Sequence, residues 1–233
     1  MSNELLFFIT AAVSFLLVIL SFRLYGKAGL FVWLGFATVV ANIEVIKCVD
    51  IFSLPVTLGN VLYGSTFLCT DIMSELFGGK ESRRGVRMGF FALICFTILM
   101  QIALRFIPNE NDFASPAMHE LFSLSPRICI ASLGAYLISN TLDTYTFDWI
   151  GKHTKILWIK NNGSTMTSQL VDSILFTFGA FYGLFEIREL WLLVLTTYLI
   201  KIFIAMIDTP FVYWARNIWN KYHKDKEPEG KAL

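Results

Sequence analysis

Apolar residues run along this chain in long blocks separated by short polar stretches. Seven blocks fall at roughly 5–23, 28–47, 54–77, 88–106, 127–148, 166–185 and 190–209. About 20 predominantly apolar residues suffice to cross the hydrocarbon of a bilayer as a helix, so each block predicts a spanning segment. The third is the least regular. It starts with Leu54-Pro55-Val56-Thr57-Leu58-Gly59-Asn60, where Pro and Gly favour a broken or re-entrant start over a straight helix. The sixth is preceded by Asn161-Asn162-Gly163-Ser164-Thr165, a run of turn formers and N-cap residues.

Composition agrees with the pattern. Hydrophobic residues make up 55% of the 233 residues and charged residues 16%, against about 45–50% and about 25% in an ordinary globular domain. The expected fold is therefore all-α, a polytopic integral membrane bundle of about six or seven transmembrane helices. The chain divides into a transmembrane domain over 1–215 and a charged cytoplasmic tail over 216–233. The tail's Lys221-Tyr-His-Lys-Asp-Lys-Glu-Pro-Glu-Gly-Lys231 lacks periodicity and reads as disordered.

The net charge of +1 hides an uneven distribution of Lys and Arg. One set of loops and the tail hold fourteen: Arg23 and Lys27; Lys80, Arg83, Arg84 and Arg87; Lys152, Lys155 and Lys160; then Arg216, Lys221, Lys224, Lys226 and Lys231. The other set holds four, Lys47, Arg105, Arg127 and Arg188, with Lys201 inside the last block. Basic loops stay cytoplasmic, which puts the N-terminus outside, the C-terminus in the cytoplasm, and the chain in the cytoplasmic (inner) membrane. The longest outer connection, 108–126, is expected to carry a short interfacial helix; a lid over a binding site is the sharper alternative.

Charged and amide side chains inside such spans are costly and mark function or pairing. The third block ends in Asp71 and Glu75, four residues apart and followed by Arg83, Arg84 and Arg87. Asp71 is expected to face a ligand, whereas Glu75 is expected to be a counter-ion of the basic loop. In the second block Asn42 lies deepest, and Glu44 and Lys47 share a helical face, so they either neutralise one another or line a site. The fifth block has Asn140, with Ser139 and Asp143 at i,i+4, and the sixth has Gln169 and Asp172 at i,i+3. Lys201 and Asp208 lie two turns apart; Lys201 alternatively bridges to Asp172 or Asp143 on a neighbouring helix. Polar stripes on several spans together indicate a shared cavity.

The sequence contains no HExxH, GxSxG, P-loop or paired-His motif, which argues against an enzyme. Cys48, Cys69, Cys95 and Cys129 lack metal-ligand spacing and read as packing residues. His119, His153 and His223 form no ligand cluster. Neither a metal nor a cofactor is expected.

The ordered polar landmarks resemble those of the bacterial queuosine precursor transporters, also described as vitamin-uptake-type transporters. They begin with Ala41-Asn42 and Lys47, then Thr70-Asp71-xx-Ser74-Glu75-xx-Gly78 followed by Arg83 and Gly85. Next come Ser125-Pro126-Arg127 and Ala131-Ser132-xx-Ala135-Tyr136-xx-Ser139 leading to Asp143. Lys160-Asn161 with Ser164-Thr165, Gln169-xx-Asp172-Ser173-xx-Phe176, Tyr198-xx-Lys201 and Asp208-Thr209-Pro210 complete the set. Lys160 stands where the family more usually has Arg.

The resemblance implies import of a small planar purine-like substrate, 7-cyano-7-deazaguanine or 7-aminomethyl-7-deazaguanine, for salvage into tRNA modification, with no nucleic acid bound. Such a base presents N1–H and an exocyclic amine that a carboxylate accepts as a two-point hydrogen bond, an O6 that needs a donor, and a flat face for an aromatic ring. Asp71, Asp172 and Gln169 are the leading site residues, followed by Asn42, Glu44, Lys47, Asn140, Asp143 and Lys201. Glu75, Arg83, Arg84 and Asp208 are candidates for gating or ion pairing. The alternatives are a substrate-binding subunit of a multi-component vitamin or nucleobase transporter with a separate energising complex, and a membrane scaffold whose charges only bridge helices. The bilayer is the surrounding partner, and a homodimer is the expected assembly for so small a bundle.

Overall fold

The computed structural model describes residues 2–153 and 157–224; within these helices the side chains at 140, 143, 144, 147, 148, 151, 157–162, 164, 165, 204–206, 209 and 222–224 lie outside the description. The chain folds as an all-α bundle with one small hairpin. In order it forms α1 (Asn3–Tyr25), α2 (Lys27–Glu44), β1 (Cys48–Ile51), β2 (Leu54–Thr57), α3 (Gly59–Phe77) and α4 (Gly79–Ala103). There follow α5 (Ser115–Phe122), α6 (Ser125–His153), α7 (Leu157–Phe181), α8 (Ile187–Ile207) and α9 (Thr209–Lys224). Among the described residues, α1, α2, α4 and the stretch Ser115–Ser139 are long and apolar enough to cross a membrane. α3 and α7, which help line the interior cavities, carry more polar residues.

Local chemistry explains the boundaries. The Ser2 hydroxyl accepts the Leu5 N–H at 3.4 Å to open α1, with Glu4 in its first turn. Gly78, at φ 84, lets α3 turn directly into α4, a backbone conformation that a side chain disfavours. The start of α5 is capped by Asp112. Its carboxylate accepts the Ala114 and Ser115 N–H groups at 2.8 and 3.0 Å and the Ser115 hydroxyl at 2.5 Å. The Ser115 hydroxyl and then these two amides hold the Asp112 carboxyl below its ordinary pKa. This helix is the one expected in the 108–126 connection.

The irregular start expected for the third block is a β-hairpin. β1 and β2 pair antiparallel, with Val49 opposite Val56 and Asp50 opposite Pro55, so Pro55 sits in a two-stranded ribbon where its missing N–H is tolerated. Phe52 and Ser53 form the turn, both at positive φ, and the Glu4 carboxylate accepts the Phe52 N–H at 3.2 Å. On its other side the hairpin is fastened to α8, where the Thr196 hydroxyl donates to the Pro55 carbonyl at 2.7 Å. Asn60 donates to the hydroxyls of Thr57 and Thr197 at 2.7 and 2.9 Å. β-branched Val49, Val56 and Thr57 favour the extended ribbon, which is why this stretch is neither helical nor a simple helix break.

The core is built mainly by α1, α2, α3 and α9, around fully buried Phe15, Leu30, Leu34, Leu68, Ile72 and Met73. The seven-block reading ends at 209 and has no counterpart of α9. That helix seats Trp219 against Phe77 at 4.9 Å and Phe22 at 6.3 Å between ring centroids. Elsewhere α1 exposes Leu5, Ile9, Val13, Leu16 and Leu20, an apolar face suited to lipid. Arg127 clamps α6 to the end of α7 by donating to the Gly179 and Tyr182 carbonyls at 2.9 and 2.5 Å.

α3 starts against α2 with no room for a side chain. A Cβ on Gly59 would lie 2.1 Å from the Ala41 carbonyl oxygen, whereas one on Gly134 in α6 would meet nothing within 4 Å. Gly59→Ala is therefore expected to cost about 1–3 kcal/mol through overpacking, read as a lower unfolding midpoint in detergent. Gly134→Ala is expected to be neutral or to stabilise by up to about 1 kcal/mol. Equal midpoints for the two variants would contradict this packing.

Candidate substrate-binding site

Two adjoining cavities lie inside the bundle. The larger, about 160 Å³, is walled by Tyr63 and Phe67 of α3, Phe90 of α4 and Tyr136 of α6, with Gln169 and Asp172 of α7 on its polar side. The smaller, about 40 Å³, contains Asn42, Ser132 and Lys201 and is bounded by Val45 and Gly59 toward the hairpin. Tyr63 and Asp172 line both. From the level of Asp172, the larger cavity extends past Thr70 and Val86 toward the end of the bundle where α4 begins.

The side chains at this junction hold one another in place. Lys201 of α8 donates to Asp172 Oδ2, and the Ser139 hydroxyl donates to Asp172 Oδ1 at 3.1 Å. Lys201 is 4% exposed and Asp172 14%. An ammonium so enclosed needs a counter-charge, because removing either ion from water costs several kcal/mol. In the smaller cavity the Ser132 hydroxyl donates to Asn42 Oδ1 at 2.9 Å, while Asn42 Nδ2 donates back to the Thr38 carbonyl at 2.8 Å. Gln169 is different: its Oε1 is buried without a hydrogen-bond partner among the described residues. A buried amide oxygen left unpaired costs about 1–3 kcal/mol, and this one borders an aromatic-walled cavity.

The rings themselves are positioned by α3, α4 and α6. Tyr63 and Phe67, one turn apart, meet edge to face at 5.5 Å, and Phe90 meets Tyr136 at 4.9 Å and 48°. Trp33 of α2 donates to the Ser65 hydroxyl at 3.0 Å and fixes the back of α3. Facing aromatic surfaces with a few polar groups on one rim suit a flat, hydrogen-bonding ligand.

The sequence-predicted residues separate into groups. Gln169, Asp172, Asn42 and Lys201 come together at the two cavities. Lys201 takes the interhelical alternative and pairs with Asp172, not with Asp208. Glu44 and Lys47 lie at and beyond the end of α2, outside both cavities, and form no ion pair with each other among the described residues. The side chains of Asn140 and Asp143 lie outside the described residues. Asp71 is placed differently from the expectation. It occupies a neighbouring face of α3, in a separate cleft of about 650 Å³ shared with Ser74, Glu75, Asp208 and Arg216. There it shares the cleft wall with buried Asp208.

Glu75 is ion-paired, but with Arg216 of α9 at 3.4 Å instead of Arg83 or Arg84 of the basic loop. Arg84 reaches Glu81 at 3.9 Å, and Lys27 reaches the same carboxylate at 3.0 Å. Arg83 is exposed. Sequence reasoning also left the cavity's aromatic walls unassigned. Their one available signal is spacing: Tyr63 and Phe67 alternate with Thr66 and Thr70 on one stripe of α3. Among the described residues no group of His, Cys, Asp and Glu is arranged to hold a metal ion.

Comparison with known proteins agrees with this architecture. The family described as "Putative vitamin uptake transporter" matches residues 57–215, a segment containing α3 to α8 with Gln169, Asp172 and Lys201. A "Probable queuosine precursor transporter" of Bacillus subtilis (strain 168) is 40% identical over 222 residues, 94% of this chain and 96% of that one. A protein of the same name from Haemophilus influenzae (strain ATCC 51907 / DSM 11121 / KW20 / Rd) is 28% identical over 160 residues, 67% of this chain and 66% of the relative. No solved structure matches the chain significantly. The fold and its buried polar cavities define a helical membrane protein of transporter type. The chain belongs to the vitamin uptake transporter family.

The ion pair at the centre gives a direct test. Removing one member of a buried pair typically costs about 3–5 kcal/mol, because the other is left uncompensated. Asp172→Asn and Lys201→Met are each expected to destabilise the solubilised protein strongly. The double variant is expected to lose at least about 1 kcal/mol less than the sum of the two. Strict additivity in unfolding measurements would show that the two charges are not coupled.

Proposed function

We propose that this protein imports queuosine precursors, 7-cyano-7-deazaguanine or 7-aminomethyl-7-deazaguanine, across the cytoplasmic membrane, with its basic loops and C-terminus inside. The observation that carries the reading is the unpartnered Gln169 amide oxygen beside Asp172 on the rim of an aromatic-walled cavity. A 7-deazaguanine supplies what this rim lacks. Its N–H groups give Gln169 and Asp172 donors, its O6 accepts from a cation such as Lys201, and its fused ring lies against Tyr63, Phe67, Phe90 or Tyr136. Family membership and the printed names of the two relatives support the same substrate class. On this reading Asp71, Glu75, Asp208 and Arg216 serve the helix contacts at the α9 end and do not hold the base.

Uptake of labelled 7-cyano-7-deazaguanine into liposomes containing the purified protein tests both the substrate and the sufficiency of this single chain. Gln169→Leu and Asp172→Asn are expected to lower uptake at least about tenfold, the effect of losing one well-made polar contact to a buried ligand. Asp71→Asn is expected to leave binding affinity within about twofold of the wild type, because the side chain lines neither cavity. Wild-type binding by both Gln169→Leu and Asp172→Asn proteins would refute the site. Binding without movement across the membrane would favour a subunit that needs an energising partner.

A further inference from the structure

We infer that the two cavities are subsites of one pocket: the fused ring of the substrate fills the larger, and its 7-substituent passes Tyr63 into the smaller. This rests on the 7-deazaguanine reading above and deepens it by fixing the orientation of the ring and naming the residues that select the substituent. The two spaces share Tyr63 and Asp172 as walls, so they adjoin at those two side chains.

Size decides which part goes where. Roughly 10–15 Å³ of such space holds one water-sized group. The cavity of about 160 Å³ therefore accepts about eleven to sixteen groups, enough for the about eleven non-hydrogen atoms of a 7-deazaguanine ring with its amine and oxygen. The cavity of about 40 Å³ accepts only about three or four groups, which matches a cyano or aminomethyl group and nothing much larger. Ala41 and Ala135 form part of its wall, and their small side chains are what leave the space open.

Chemistry fixes the orientation independently. On the fused ring, O6 lies beside the 7-substituent, and the exocyclic amine lies on the far side of O6, with N1–H between them. Lys201 lines the smaller cavity only, whereas Gln169 lines the larger only. With the 7-substituent in the smaller cavity, the Lys201 ammonium meets O6 and the Gln169 oxygen meets N–H groups. In the reversed orientation the ammonium would face the amine edge, donor against donor, and the Gln169 oxygen would face O6, acceptor against acceptor. The smaller cavity also suits either substituent. The Lys201 ammonium is a donor for a nitrile nitrogen, and the Asp172 carboxylate is an acceptor for an ammonium.

The test compares three ligands on the purified protein: 7-deazaguanine without a 7-substituent, its 7-cyano derivative and its 7-aminomethyl derivative. Ala135→Val fills the smaller cavity and is expected to weaken both substituted ligands by at least about tenfold while leaving the unsubstituted ring within about twofold. An equal loss for all three ligands in Ala135→Val, or no loss for any, overturns the orientation. Ligand size on the unaltered protein reads the same subsite without relying on a variant that folds. Affinity is expected to collapse when the 7-substituent reaches phenyl size, and undiminished binding of such a ligand overturns the inference. If the wild type binds none of these ligands, the substrate reading itself falls and takes the subsites with it; if it binds them but Ala135→Val affects all alike, only the orientation falls.

Discussion

A lysine and an aspartate buried inside a membrane bundle constrain everything around them. Lys201 is 4% exposed and its ammonium is ion-paired with Asp172, a contact that holds α8 against α7. Asp172 in turn needs its second oxygen satisfied, which the Ser139 hydroxyl of α6 does. Three helices are thereby tied at one level of the bundle, and the two cavities meet at that level. Away from the hairpin the larger cavity sets aromatic walls beside Thr66, Thr70 and Gln169; toward the hairpin, polar contacts run through Asn42 with Ser132 and Asn60 with Thr57 and Thr197.

The hairpin completes this arrangement. It is held to the start of α1 by Asn3 and Glu4 and to α8 by Thr196, and Gly59 brings the start of α3 into backbone contact with α2. The smaller cavity is therefore bounded on the hairpin side by tightly packed backbone, while the larger extends toward the basic end of the bundle.

Much of this was legible in the chain. Long apolar blocks predicted the helices, because nothing else can satisfy a backbone in lipid. The i,i+3 pair Gln169 and Asp172, and the lone Lys201, stood out because charge and amide groups are expensive there. Asp71 shows where that reasoning stops. α3 carries two polar stripes, Thr66 and Thr70 toward one neighbour and Asp71 and Glu75 toward another, and cost alone does not say which stripe faces the ligand. Only the packing of α9, a short amphipathic helix that no long apolar block announces, reveals that Asp71 belongs to the α9 side. The aromatic walls were hidden for a different reason: Phe and Tyr inside an apolar run look the same whether they face lipid or a cavity.

The adjacent residues Thr70 and Asp71 supply the most direct test of the claim that the site lies between α3, α6 and α7. Thr70 borders the larger cavity, and Asp71 borders the cleft toward α9. Cysteines placed singly at these two positions would be alkylated with and without saturating 7-cyano-7-deazaguanine, and the rate at each position read by mass spectrometry. The ligand is expected to slow labelling at position 70 several-fold and to leave position 71 unchanged. Protection at position 71 with none at position 70 would contradict the site and return Asp71 to its centre.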